Sequence, residues 1–289
     1  MKNVLEYILF IGLSNFCRII GLNLSRKFSS VLAFIFYYFI PIRRDVTIDN
    51  LKHAFPDYSE KKIKEIAYGS YKSFCIALVE ILYLPWMNFE QIKKVVTCSN
   101  ANLITKKADE KNGVILLAAH FGNWEYAAVS IAAQINEKVS VIIKPQRNPY
   151  VTKWMNKART RWTNEVVPLG ISIRSIYAVL KEKGIVAMAA DQRGPEENIK
   201  LEFFGRKTSV LTGPAVLSLK TNAPILYGIP IRQPDYSYFV NIEEISKENL
   251  PDDFDEKVKE LSIRLLKYIE DIIRKYPEQW LWMHKRWKH

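Results

Sequence analysis

Cysteine is scarce: Cys17, Cys75 and Cys98 are the only three in 289 residues. They are scattered and odd in number, and none forms a metal-spaced pair. Reduced thiols in the cytoplasm are the expected state. Cys75 sits in an apolar helical stretch and reads as packing. Glycine does not gather into a Walker-type phosphate loop, and no Gly-x-Ser-x-Gly elbow occurs. The commonest nucleotide, zinc and serine-hydrolase chemistries are therefore set aside. The apolar start has no Ala-x-Ala cleavage site, so a removed signal peptide is not expected. There is no internal repeat and no low-complexity linker.

What the chain has is positive charge and apolar bulk. Lys and Arg outnumber Asp and Glu by 42 to 30, a formal charge of +12, and 48% of residues are hydrophobic. Such a chain can bury one large core and calls for an anionic partner. Nucleic acid, an anionic membrane surface and a phosphorylated or acidic substrate all satisfy that demand.

The N-terminal forty residues narrow the choice. Residues 28–42 carry no charge until Arg43 and Arg44, and residues 4–17 are interrupted only by Glu6. Fifteen helical residues span about 22 Å, short of a hydrocarbon core of about 30 Å. A helix over residues 4–24 spans only if Arg18 snorkels. Otherwise both runs lie in the interface, with Tyr37, Tyr38 and the arginines at headgroup level. The alternative is a buried helical hairpin; the aromatics and flanking cations favour membrane contact. Residues 1–44 are thus expected to be a membrane-associating segment, and 45–289 a single domain.

The centre of that domain is Ala118-Ala119-His120-Phe121-Gly122-Asn123-Trp124-Glu125. It follows Val114-Ile115-Leu116-Leu117, which reads as a buried parallel strand. An amphipathic helical pattern follows over 126–134. Gly122 suits a sharp turn, and Asn123 suits an N-cap. In open α/β sheets ligands bind beyond the carboxyl ends of strands. The spacing suggests a general base, His120, taking a proton from a hydroxyl, with Glu125 fixing its tautomer. A core histidine bonded to a backbone carbonyl is the competing reading.

Strands and helices alternate beyond this point. Strands are expected at 139–143, 185–190, 225–231 and 238–242, and helices at 149–162, 172–183, 213–221 and from 252. A short helix at 43–56 and a longer one from Ser59 precede them. The pattern implies a mixed, largely parallel sheet flanked by helices. Lys144 to Asn148, Arg159 with Arg161, and Asp191 all follow strands or helices that could meet at His120. A guanidinium pair suits phosphate or carboxylate, though spacing alone slightly favours a solvated, charged helix end. Asp191 either orients an arginine or caps its loop. Glu80 reads as a paired or snorkelling acid. Phe203-Phe204-Gly205 reads as groove or core lining. The tail from Trp280 to His289 mixes aromatics with cations; an interfacial role fits the apolar N-terminus better than nucleic-acid stacking.

Taken together these blocks resemble the late acyltransferases of lipid A biosynthesis (lauroyl/myristoyl type), within the lysophospholipid acyltransferase superfamily. Arg43-Arg44, Asn50-Leu51 and Ala54-Phe55-Pro56 resemble the segment after the family's anchor. His120 to Glu125 resembles its His-x4-Asp/Glu block. Lys144-Pro145, Asn148-Pro149, Arg159 and Arg161 resemble the second block, with Lys144 where arginine is usual. Asp191-Gln192, Gly194, Phe203-Phe204-Gly205 and Thr212-Gly213 resemble the third. Pro277 through Lys288 resembles the carboxyl end. The resemblance implies a glycerolipid-acyltransferase-like fold with an N-terminal apolar helical anchor, at the cytoplasmic face of the inner membrane. It implies transfer of a fatty acyl chain from acyl-carrier protein to a hydroxyl of a lipid A precursor. His120 and Glu125 are its expected catalytic pair. Asn123, Lys144, Asn148, Arg159, Arg161 and Asp191 are its expected substrate-binding residues. No metal and no cofactor beyond the carrier's phosphopantetheine is expected, and the partners are acyl-carrier protein, a lipid A-type glycolipid and the membrane, not nucleic acid. The alternatives are acylation of another membrane lipid (a lysophospholipid, aminolipid or phosphoglycolipid) or non-catalytic lipid binding.

Overall fold

A computed structural model describes every residue except Lys111, Ile171, Ser172, Lys288 and His289. The expected helix start at Ser172 and the last two tail residues lie outside the described residues. In chain order the elements are α1 (Lys2–Phe34), extended by a wide turn over Ile35–Phe39, then α2 (Arg44–Ala54) and α3 (Glu60–Tyr83). A short turn, Leu84–Trp86, leads to α4 (Phe89–Val95), β1 (Val96–Cys98), α5 (Asn102–Glu110), β2 (Val114–Ala118) and α6 (Trp124–Ile135). Then come β3 (Val139–Ile143), α7 (Pro149–Arg159), β4 (Asn164–Pro168), α8 (Ile173–Lys181) and β5 (Ile185–Ala189). The chain continues through β6 (Lys200–Phe203), β7 (Arg206–Ser209), α9 (Gly213–Thr221), β8 (Ile225–Gly228), β9 (Ile231–Arg232), β10 (Tyr238–Val240) and β11 (Ile242–Glu244). It closes with α10 (Phe254–Lys275) and a turn at Pro277–Gln279.

The main sheet has six strands in the order β11-β8-β2-β5-β3-β4. Its inner pairs are parallel, and β11 runs antiparallel on one edge. The apolar runs that form β2, β5 and β8 are continuous because both faces of these strands are covered. The period of two is still visible in where the side chains go. Ile115, Leu117, Val186, Ile225 and Tyr227 join one core with α3, α9 and α10. Val114, Leu116, Ile185, Ala187 and Leu226 join the other with α4, α5 and α6. The mixed, largely parallel sheet flanked by helices is as the alternating pattern predicts.

Two details differ. The 225–231 and 238–242 stretches each break in two, because β9 and β10 leave the main sheet and pair in a small sheet with β1. The short strand β4 extends the sheet beyond β3. The segment 203–205 is a hairpin turn, with φ of +52° at Phe204 and +70° at Gly205, and both phenylalanines line the core as expected.

The apolar N-terminus is a long helix broken at Gly21, where φ is +77° and ψ 165°. Such a conformation is open to glycine and costly for other residues. Ser25 Oγ caps the freed carbonyls of Cys17 and Gly21. One side of α1 packs on α3, with Ser14 Oγ donating to the Leu82 carbonyl at 2.8 Å and Cys17 buried against Val79 and Leu82. The other side leaves Leu5, Ile8, Leu9, Phe16 and Ile19 exposed, a stripe at helical spacing. Residues 2–39 are long and apolar enough to cross a membrane. The arginines are not all at a surface, as the headgroup reading supposed. Arg26 is buried, as is Tyr37, and Arg18 stacks over Trp86 with its guanidinium carbon 4.2 Å from the ring centre.

Candidate active site

Parallel pairing of β2 with β5 sets Ala118 opposite Ala189. His120 and Asp191 each lie two residues beyond that pair, so the two strand ends deliver them side by side. His120 Nδ1 is 2.7 Å from Asp191 Oδ1, and the His120 main-chain N–H donates to Asp191 Oδ2 at 2.9 Å. Trp280 Nε1–H donates to the same Oδ2 at 2.9 Å. The carboxylate thus accepts three hydrogen bonds in a buried position. Nδ1–H pointing at Asp191 leaves Nε2 with its lone pair outward, the tautomer a base needs. Nε2 lies 3.4 Å from the Gln192 side-chain amide nitrogen.

Burial disfavours the imidazolium. The charge and hydrogen bond of Asp191, with a smaller contribution from Glu125, outweigh it and hold the His120 pKa above its ordinary value. Burial likewise opposes the Asp191 carboxylate. His120, through charge and through both its N–H groups, and Trp280 overcome that and hold Asp191 well below the usual carboxylate range. The pair therefore stores a carboxylate beside a histidine that binds a proton readily.

The turn itself is made by Gly122, with φ of +52°. A Cβ there would lie 2.2 Å from the Pro230 carbonyl oxygen, so only glycine fits. The carboxyl end of the chain zips onto the turn: Gly122 N–H donates to the Gln279 carbonyl, and Leu281 N–H to the His120 carbonyl, each at 3.0 Å. Ser70 Oγ on α3 holds the Trp280 carbonyl, and the Asn50 amide on α2 holds those of Trp282 and His284. The exposed edge of His120, a quarter of its side chain, opens on a cleft lined by Ser73, Phe74, Trp124 and Leu281.

The other expected site residues lie elsewhere. Glu125, expected to orient His120, points instead to Arg159: Nε is 2.7 Å from Oε2 and Nη2 2.5 Å from Oε1. Only four residues in sequence separate Glu125 from His120, but Glu125 belongs to the first turn of α6 and its side chain is turned to Arg159 of α7. Asp191 supplies the orienting hydrogen bond. Asn123 is fully buried; its side-chain Oδ1 accepts from Tyr126 N–H and its side-chain Nδ2 donates to Glu80. Asn148 caps α7 and donates to the Asn3 carbonyl. Arg161 donates to the Pro85 and Met87 carbonyls, holding the turn after α3. Lys144 is exposed on the loop after β3. Of the expected catalytic and binding set, the fold brings His120 and Asp191 into direct contact. Trp280 joins them. Its signal in the sequence is the apolar-cationic tail, which reads as interfacial until the β-bridge to Phe121 is seen.

Residues 2–289 match the model for bacterial lipid A biosynthesis acyltransferases. The chain belongs to this family. It is similar to the lipid A biosynthesis palmitoleoyltransferase of Escherichia coli K12, with 24% identity over 252 residues, 86% of this chain and 80% of the relative. Similarity to the lipid A biosynthesis lauroyltransferase of the same organism is 23% over 252 residues, with the same coverage. A partial likeness, 23% over 150 residues, links it to the phosphatidylinositol mannoside acyltransferase of Mycolicibacterium smegmatis, covering 50% of this chain and 49% of that one. Acyl transfer in lipid A biosynthesis is the activity of the family, and the resemblance drawn from the motifs is correct. Within this lipid A acyltransferase, His120 lines the cleft and Asp191 is buried behind it.

Proposed function

We propose that the protein transfers a fatty acyl chain from the thioester of acyl-carrier protein to a hydroxyl of a lipid A precursor, with His120 as general base. The observation that supports this most is the His120–Asp191 pair at adjoining strand ends, with Nε2 turned to the cleft. In this reading Nε2 takes the proton of the acceptor hydroxyl as its oxygen attacks the thioester carbonyl. A carbon–oxygen bond forms and the carbon–sulfur bond breaks. The proton passes from Nε2 to the departing sulfur, so the carrier leaves as its free thiol. Asp191 stabilises the imidazolium in between. A thioester is activated enough that the step needs neither metal nor further cofactor than the carrier's phosphopantetheine.

Glu125 acts on this base through space, and its bonds go to Arg159. The apolar outer side of α1 (residues 1–44 as a whole) is the membrane-associating part, at the cytoplasmic face of the inner membrane. The surplus positive charge favours both the acidic carrier and an anionic leaflet. A phosphoglycolipid acceptor is the second reading, favoured by the likeness to the mannoside acyltransferase.

The test is transfer by the detergent-solubilised protein from acyl-carrier protein to a lipid A precursor, read by mass spectrometry. Removal of a general base costs roughly 10²- to 10⁴-fold, so His120→Ala should lose that much while remaining folded by circular dichroism, with a melting temperature lowered because the buried Asp191 carboxylate loses its ring partner. Full activity in His120→Ala rules out the base. Transfer to a phosphoglycolipid and not to the lipid A precursor would establish the second reading.

A further inference from the structure

The least exposed acid among the described residues that the mechanism leaves unused is Glu80, on α3, with no accessible surface. Its two oxygens are divided. Oε1 accepts from Arg26 Nε of α1 at 2.8 Å. Oε2 accepts from the Asn123 amide at 2.9 Å and from Tyr238 O–H at 2.6 Å. Its main-chain carbonyl also accepts from Tyr126 O–H at 2.9 Å. Asn123 and Tyr126 are the N-cap and third residue of α6, and Asn123 follows Gly122 in the turn that carries His120. Tyr238 packs its ring against Gly122 and accepts from Arg232 Nε at 2.9 Å. Arg232 in turn reaches Ser73 of α3, and its main-chain N–H reaches the side chain of Gln279, whose own carbonyl accepts from Gly122 N–H.

A buried ion pair is weak evidence for stability, because its desolvation can exceed its attraction. It does fix geometry, since every partner must stay in place for the charges to remain satisfied. We propose that Glu80 is a positioning residue for acyl transfer: it ties the apolar helix α1, through Arg26, to the turn that aims His120, through Asn123. The seating of α1 on the domain then sets the aim of the base. The inference deepens the general-base reading and rests on it.

Asn123→Ser isolates the link. Serine remains a good N-cap for α6, while the bond to Glu80 is lost and the Arg26–Glu80 pair stays whole. Transfer kinetics of the solubilised full chain should show kcat lowered between roughly 10- and 100-fold, as expected for a small misplacement of a reacting group. KM for both substrates should stay near wild type, while the melting temperature should fall modestly because the buried Glu80 carboxylate loses one donor. The acid limb of the kcat profile should move to lower pH, as His120 loosens from Asp191. Glu80→Gln should lower kcat at least as far; if it fails to fold, Asn123→Ser still decides. A lowered melting temperature with wild-type kcat and pH profile in Asn123→Ser would overturn the proposal, leaving Glu80 a purely structural acid. His120→Ala separates the two layers. If it retains activity, the base reading fails; if it is inactive while Asn123→Ser runs as wild type, only the role of Glu80 fails.

Discussion

Asp191 holds His120 at two points, ring Nδ1 at 2.7 Å and main-chain N–H at 2.9 Å. One carboxylate thereby fixes both where the histidine sits and which way its ring faces. The arrangement follows from the register of two neighbouring parallel strands and needs no help from residues close in sequence.

Stability should carry the signature of this pair. Asp191 is depressed from 3.8, so its contribution is present above that value and is lost as pH falls through its folded pKa. His120 is raised from 6.5, so its contribution is complete below that value and fades as pH rises through its folded pKa. The difference in urea midpoint between wild type and Asp191→Asn should therefore be largest between about pH 4 and 6.5, and shrink on both sides. A difference independent of pH would mean the two groups are not coupled.

Trp280→Phe keeps the ring and removes one donor to a buried carboxylate. Hydrogen bonds to charged groups contribute about 1.5–3 kcal/mol. Thermal unfolding should show a loss of that order, and transfer should slow roughly tenfold as Asp191 gains freedom. Wild-type rates in Trp280→Phe would confine the tail to packing.

Glu125 and Arg159 form a buried bidentate pair, each side chain 9% exposed. Removing one partner strands the other, at a cost of about 3–5 kcal/mol. Arg159→Met and Glu125→Gln should each be strongly destabilised, and the double variant should recover much of the loss. Additive losses in a chemical-denaturation cycle would contradict the pairing. Arg159→Lys, which keeps charge without the planar fork, should fall between.

The exposed stripe on α1 makes a membrane prediction. Ile8→Asp with Ile19→Asp places two charges on residues that are 59% and 83% exposed and touch little of the core. Flotation with vesicles containing anionic lipid should fall sharply, with the melting temperature in detergent unchanged. Undiminished flotation would move the membrane contact elsewhere.

How much of this was legible beforehand follows from what is local. Val114 to Ala118 announces a buried strand by its apolar run, Gly122 a turn, and Asn123 a cap, and all three form as expected because each depends on neighbours in sequence. The partner of His120 does not. Glu125 is the nearest acid along the chain, yet the helical turn swings it to Arg159. Asp191, 71 residues away, becomes the partner only because β5 lies beside β2. Strand order is a tertiary fact, and no periodicity encodes it. The same holds for Glu80, whose apolar surroundings suggest an acid in need of a partner without saying that Arg26 and Asn123 supply it. Arg159 and Arg161 suit a phosphate or carboxylate by their guanidinium chemistry, while their spacing alone favours a solvated helix end; in the fold Asn156 and Glu125 take one, and the Pro85–Met87 turn takes the other.

The most direct test is the pH dependence of acyl transfer, kcat/KM, in wild type and Asp191→Asn. The account predicts an acid limb above the ordinary histidine value of about 6.5 in wild type. In Asp191→Asn the limb should shift to lower pH and the plateau fall by roughly 10²- to 10⁴-fold. An unshifted limb with an undiminished plateau would contradict the claim that Asp191 aims and charges His120.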